Sequence, residues 1–377
     1  MAQSQAESRR PGATRGTPSS QMTIGKLAEK IGLAKSTVSR ALSDYPDISP
    51  ATKRRVAQAA EEYGYRPSSY AQSIRTGLSR SVALILSVSD DTVQRASLAD
   101  LLDGMSKRLG RDMWTLTVAT AADDQSDTDL QRRLIERKSV DGFVIPRLKH
   151  DDPRLALMRE FDMPFVVYGR ADGEADAPFF DIRTEDAMAD AVARLAAQGH
   201  RRIAYIGTHP GYVMNGLREG GYLAGLARAG LPVDRALIGQ GAMTENAGEV
   251  AARQLLSLPA PPTAIVCAMD AAALGVYRAA RHLGLVIGSD LSVIGYDGIS
   301  EGAYVTPRLT TYSNDSHRAG ETLAELLLAR IRGAAPETLR VLADAVLVER
   351  ESDGPPRASS EDLAARIAAA RDPREDS

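Results

Sequence analysis

A single cysteine, Cys267, stands in a chain of 377 residues. One thiol excludes an internal disulfide and any multi-cysteine metal site. No apolar run approaches the ~18 residues that a membrane-spanning helix needs. The opening "MAQSQAESRRPGATRGTPSSQ" carries no hydrophobic segment and does not read as a secretory signal. The cytoplasm is the expected compartment, with no membrane partner. His150, His200, His209, His282 and His317 are scattered without metal-ligand spacing. Cys267 sits inside the apolar stretch "AIVC", where a buried, inert thiol is expected. Neither a G-x-x-x-x-G-K-S/T phosphate loop nor a G-x-S-x-G nucleophile elbow occurs. An enzyme would have no catalytic constellation here, and no metal or cofactor is expected.

What is present is an ordinary globular composition, 44% apolar and 25% charged, long enough for two or three domains. The net charge of −3 conceals an asymmetry. Residues 1–80 hold 13 Lys and Arg against 6 Asp and Glu, whereas the remainder is acidic. Only Arg9, Arg10 and Arg15 of those cations lie in the N-terminal tail. A basic folded module with a polyanionic partner is therefore favoured over a basic tail.

Residues 1–21 are rich in Gly, Pro, Ser, Arg and Gln and read as a disordered tail. Three helices follow. Thr23 caps the first, "GLA" turns into the second at Lys35, and Ser49 with Pro50 opens the third, which stops at Gly64. Val56, Ala59, Ala60 and Tyr63 give the third helix a buried face. From Ser81 the texture changes to short apolar runs, "SVALILSV", "GFVIP", "FVVY", "RRIAYIG", "TAIVCAM" and "LSVIGYD". Amphipathic stretches such as 97–110, 184–198 and 271–284 separate them. Strand then helix, repeated in two rounds (about 81–182 and 183–311), predicts two doubly wound parallel sheets. Their strand ends would open on a shared crevice suited to a small ligand. The stretch from Glu351 to the end reads as a second disordered tail.

The second helix, "KSTVSRAL", has little to bury and an outer face of Lys35, Ser36, Thr37, Ser39 and Arg40. Helix, Gly-containing turn and polar helix form an arrangement that reads DNA, although most polar short helices are merely solvated. In the DNA reading, Lys35, Ser36 and Arg40 face base edges, Arg being able to chelate guanine O6 and N7. Thr37 and Ser39 suit phosphates, which fix register.

"TIGKLAEKIGLAKSTVSRALSDYPDISPATKRRVAQAAEEYGYRP" resembles the DNA-binding head of the lactose/purine repressor family. "SSYAQSIRTG", "VDGFVI", "QGHRRIAYIG", "REGGY", "LSVIGYD" and "PRLTT" continue the resemblance in family order, from about 23 to 350. It implies a helix-turn-helix domain at 22–66, a hinge helix at 67–80 and a two-lobed body of the periplasmic-binding-protein type at 81–350. Lobe 1 would hold 81–182 and 313–343, lobe 2 183–312 and 344–350, leaving 351–377 as the tail. The resemblance also implies a homodimer on a pseudo-palindromic operator, with Thr23 among the DNA contacts. Ala71 and Ile74 of the hinge would face the minor groove. Ile74 stands where the family has a wedging leucine, and a β-branched side chain is stiffer.

In the body the same resemblance places Arg218 and Asp297 as effector contacts, joined by Asn314 and by Ser89, Arg147, Tyr168 and Arg170 of the first lobe. Bidentate donors and acceptors suit a hydroxyl-rich ligand. Met269 replaces an expected asparagine and Met243 an expected aromatic, which disfavours a purine. "PFVVYGRAD" and "MTENAG" look most like the branch that controls α-glucoside uptake genes. A sugar-responsive repressor is thus expected. A regulator with a non-sugar effector, a doubly wound enzyme and a transporter's solute-binding protein are the alternatives.

Overall fold

The computed structural model describes residues 22–65, 77–86, 95–121, 126–170 and 177–370. Ala71, Ile74 and Ser89 lie outside the described residues, as do the N-terminal tail and most of the hinge. The chain divides into two compact units, residues 1–79 and 80–377.

The first unit holds α1 (Ile24–Ile31), α2 (Lys35–Leu42) and α3 (Pro50–Glu62). The Thr23 hydroxyl accepts from the Lys26 amide at the start of α1. Gly32 ends that helix at φ 65°, a conformation that costs glycine little. Ser49 caps α3 and Pro50 occupies its first turn. Leu27, Val38 and Val56, one from each helix, meet in a core completed by alanines and Ile31. Arg55 donates to the Ile31 carbonyl at 2.7 Å and ties α3 to the end of α1. So α2 is held by its neighbours through Val38 and Ala41, which frees its other faces.

The second unit contains two six-stranded sheets. The first comprises β1 (Ser81–Leu86), β2 (Thr115–Thr120), β3 (Phe143–Pro146), β4 (Phe165–Tyr168), β5 (Phe179–Ile182) and β11 (Arg340–Ala343), in the order β11-β5-β4-β3-β1-β2. All its pairings are parallel. The second comprises β6 (Ile203–Ile206), β7 (Ile238–Gly239), β8 (Ala264–Cys267), β9 (Ser292–Asp297), β10 (Thr310–Ser313) and β12 (Val346–Val348), in the order β12-β10-β9-β8-β6-β7. Here β12 runs antiparallel to β10. β6 and β8 are buried at every residue, as parallel strands covered on both faces must be.

The chain passes between the lobes three times, after Ile182, Ser313 and Ala343. After the second passage α11 (Ser316–Ile331) packs on α4 (Arg95–Arg111) of the first lobe. The two backbones approach so closely that a Cβ on Gly104 would stand 2.0 Å from the His317 carbonyl oxygen. Only glycine fits that crossing.

The expected tail beyond 350 is a correction. The segment 351–370 belongs to the second lobe. Buried Ser352 donates to the Val293 carbonyl at 2.6 Å and accepts from the Thr310 amide at 2.8 Å. A last helix, α12 (Ser360–Ala370), sinks Leu363 and Ile367 into the second lobe's core, and Arg366 forks onto Asp290 at 2.6 and 2.9 Å. Two apolar residues four apart are too few for a coiled coil but enough to seat one helix on an existing core. Leu363→Ala should cost about 2–5 kcal/mol in urea denaturation. A loss under about 1 kcal/mol would mean that α12 contributes nothing to the fold.

Candidate functional site

On the head, Lys35, Ser36 and Arg40 are exposed along α2, and Thr37 and Ser39 are half-buried beside them. Thr23 is exposed at the start of α1. Ala34 gives α2 no side-chain cap, so its first-turn amides are not closed off by one. These six expected residues therefore share the outside of the helix-turn-helix.

In the body a cavity of about 460 Å³ opens between the carboxyl ends of the two sheets. Arg147, Tyr168, Arg170, Arg218, Asp297 and Asn314 all line it. Met269 lines it too, and Met243 is not among its lining residues. The lobes also touch through main chain at its side. The Val213 amide donates to Leu148 O at 3.0 Å and the His150 amide to Gly211 O at 3.3 Å. The Val213 side chain is buried in the first lobe's core.

Each polar group has a local cause. Arg218 lies in α8 (Val213–Arg228), which begins earlier than the apolar pattern suggests. Its Nη1 donates to Ala268 O at 2.5 Å and its Nη2 lies 3.9 Å from Asp297 Oδ1. The guanidinium covers the Tyr296 ring at 4.2 Å, a cation–π contact. Its buried Nε has no hydrogen-bond partner. Asp297 ends β9 at φ 121°, a strained conformation for any residue but glycine. Asp270, wholly buried at the start of α10 (Asp270–His282), holds that turn. Its carboxylate accepts from the Gly298 and Ile299 amides at 2.8 and 2.9 Å and from the Thr311 hydroxyl at 2.7 Å. Burial, reinforced by the Asp297 charge, pushes its pKa up to about 7 against those donors.

Arg147, at φ 50° after β3, is set by Arg154, whose Nη2 donates to the Pro146 and Arg147 carbonyls at 3.0 and 3.1 Å. Asp152 pairs with Arg154 in turn. Burial raises the Tyr168 hydroxyl's pKa, so that group stays a neutral donor and acceptor. Arg170 pairs with Glu185 and stands 3.4 Å from Asp181. Asn314 Oδ1 accepts from the Ser316 hydroxyl at 3.0 Å.

Asp181 was not legible as a site residue in the sequence. It ends β5 within "PFFDIR" and lines the cavity, and its Oδ2 is buried without a hydrogen-bond partner. Burial pushes its pKa up to about 6. The available signal was an acid inside an apolar strand, where a charge is costly. Among the described residues no cluster of His, Cys, Asp and Glu could hold a metal. No described helix is long and apolar enough to cross a membrane. Cys267 is buried and burial raises its thiol pKa, which leaves it inert.

A raised carboxyl pKa makes folding less favourable once the unfolded chain ionises. Asp181 costs nothing below about pH 4 and its cost is complete above about pH 6. Asp181→Asn should therefore gain about 3 kcal/mol relative to wild type between pH 4 and pH 7 in urea denaturation. Parallel pH profiles for the two proteins would mean that Asp181 ionises as it does in water.

Comparisons with known proteins agree with this geometry. Residues 23–68 match the family model for bacterial regulatory proteins of the lacI family, and residues 192–352 that for a periplasmic binding protein-like domain. The chain is 34% identical over 340 residues to the HTH-type transcriptional regulator AglR of Rhizobium meliloti (strain 1021), covering 89% of this chain and 95% of that protein. It resembles the structure of a transcriptional regulator CelR–cellobiose complex at 29% identity and a TM-score of 0.66, covering 88% of this chain and all of that one. A lac repressor dimer bound to operator and an anti-inducer shares the fold at a TM-score of 0.75 and 24% identity, covering 89% and 99% of the two chains.

Proposed function

Since the chain belongs to the lacI family of bacterial regulatory proteins, and is a DNA-binding transcription regulator rather than an enzyme, we propose that it is a repressor controlled by a small carbohydrate held between its lobes. One observation carries this reading. Two buried atoms of cavity-lining side chains make no hydrogen bond, Arg218 Nε and Asp181 Oδ2, the latter held only by an ion pair with Arg170 at 3.4 Å. The first is a donor on the second lobe and the other an acceptor on the first. Hydroxyl groups donate and accept, so a polyol satisfies both at once. A ligand without such groups leaves them unpaired and is penalised for it. Leu86 and Leu98 line the cavity with apolar surface for the C–H faces of a sugar. The cellobiose in the CelR complex supports the same class. An α-glucoside is the effector we favour, and sugar uptake or catabolism genes are the targets.

On this reading Lys35, Ser36 and Arg40 read bases, while Thr23, Thr37 and Ser39 hold phosphates. Ala71 and Ile74 meet the minor groove. The working unit is a homodimer on a pseudo-palindromic operator in the cytoplasm, as two-fold symmetry requires matching half-sites. The dimeric, operator-bound lac repressor supports that arrangement.

A ligand gripping both lobes selects one orientation of them. It shifts the equilibrium only by its differential affinity for the two states. Linkage then requires effector and operator to alter each other's affinity by one factor, typically about 5–150-fold. An α-glucoside should weaken operator binding by a factor in that range. Asp297→Ala should abolish the response and leave effector-free operator affinity near wild type. The measurement is fluorescence anisotropy of labelled operator with and without maltose, sucrose, cellobiose and hypoxanthine. A wild-type response from Asp297→Ala, or a response to hypoxanthine alone, would overturn the proposal.

A further inference from the structure

The loop after α2 folds back on the helix it follows. The Asp44 amide donates to Ala41 O at 3.2 Å and the Tyr45 amide to Arg40 O at 3.1 Å. Asp44 takes φ 55°, the left-handed conformation that Asp tolerates in turns. Its carboxylate holds Lys53 of α3 at 2.6 Å, and the Ile48 amide closes the turn on Tyr45 O at 3.2 Å. Ser43 Oγ donates to Ser39 O at 2.7 Å. The loop is therefore fixed at both ends, to α2 and to α3.

Two side chains of this loop engage Arg40. The Tyr45 ring lies 5.2 Å from the guanidinium carbon, and the Asp47 carboxylate pairs with Nη2. The Arg40 and Asp47 side chains keep about half of their surface, 49% and 48%. One face of the guanidinium is thus covered and one nitrogen held, while the rest faces outward. An ion pair this exposed adds little to stability. What it restricts is a long, rotamer-rich side chain, and restriction before binding lowers the ordering cost of binding.

We infer that Asp47 and Tyr45 are positioning residues that hold Arg40 in the orientation that reads a base, so that sequence specificity depends on a carboxylate that itself contacts no base. The inference rests on the reading of Arg40 as a base contact. Asp47 has a second effect of the same sign. A carboxylate at the reading surface repels DNA phosphates, which lowers affinity for every sequence. Arg40 repays that loss only where a guanine is offered. Removing Asp47 therefore loosens the reading and strengthens non-specific binding together.

The test uses the full chain and an operator selected by the wild-type protein from random duplex DNA. Binding is measured to that operator, to versions with each base pair substituted, and to non-operator DNA. Asp47→Ala should lower the ratio of operator to non-operator affinity about tenfold, and Tyr45→Leu should lower it less. Arg40→Ala should abolish discrimination at one position in each half-site, and adding Asp47→Ala to it should change that position no further. Asp47→Asn, which keeps an acceptor oxygen, should restore part of the reading. The thermal midpoint of Asp47→Ala should match wild type, which separates positioning from a folding defect. If Arg40→Ala loses the discrimination and Asp47→Ala keeps it in full, the positioning role is wrong while the base contact stands. If Arg40→Ala itself leaves the preference unchanged, the base contact fails and the positioning role with it.

Discussion

One buried carboxylate organises the ligand end of the second lobe. Asp270 is the first residue of α10, directly after β8. Its oxygens take the Gly298 and Ile299 amides and the Thr311 hydroxyl, so β8, β9 and β10 are bound together at their carboxyl ends. Those bonds hold Asp297 at a positive φ that an isolated turn would avoid. A Cβ on Gly295 would stand 2.0 Å from Asp270 Oδ1, so the strand beside the carboxylate must be bare. The position of Asp297, and hence of its neighbour Arg218, follows from a residue wholly out of reach of solvent.

The first lobe solves the corresponding problem differently. Arg154 and Asp152 form a buried pair that reaches back to two carbonyls at the end of β3 and fixes Arg147. Arg170 stands between Asp181 and Glu185. Charges of both signs thus face one cavity from both lobes, and Arg218 and Asp181 each keep one buried atom that makes no hydrogen bond. Unpaired atoms of this kind raise the energy of the empty site and are relieved by a complementary ligand. On the proposed function, ligand binding and lobe orientation would be coupled through the same few groups.

Much of this was legible along the chain. Thr23, Gly32, Ser49 and Pro50 mark helix ends by local chemistry, and the structure uses the first three as caps. Apolar runs such as "IAYI" and "AIVC" are strands because nothing else buries four consecutive apolar residues on both faces of a sheet. Six of the seven body positions carried over from the family resemblance line one cavity, and Ser89 lies outside the described residues. Asp181 was not legible, because one acid in a strand says nothing about which space its end faces. The helix at 360–370 was missed because it is mostly alanine, lies between polar flanks and offers only Leu363 and Ile367 as large apolar residues. Only the presence of a core to receive Leu363 and Ile367 makes it a helix of the fold.

The sequence by itself determined the element types, the head's helix order and the family, all of which rest on short-range periodicity, capping and motif spacing. Tertiary structure alone decided which polar groups meet. Asp297 lies 79 residues from Arg218 in the chain and Thr311 lies 41 from Asp270, and no local rule links such positions. Their encounter depends on the second lobe's sheet assembling strand by strand until the carboxyl ends of β8, β9 and β10 lie side by side. Assembly of each lobe removes water from the groups it gathers, and that desolvation is what raises the Asp181 and Asp270 pKa values.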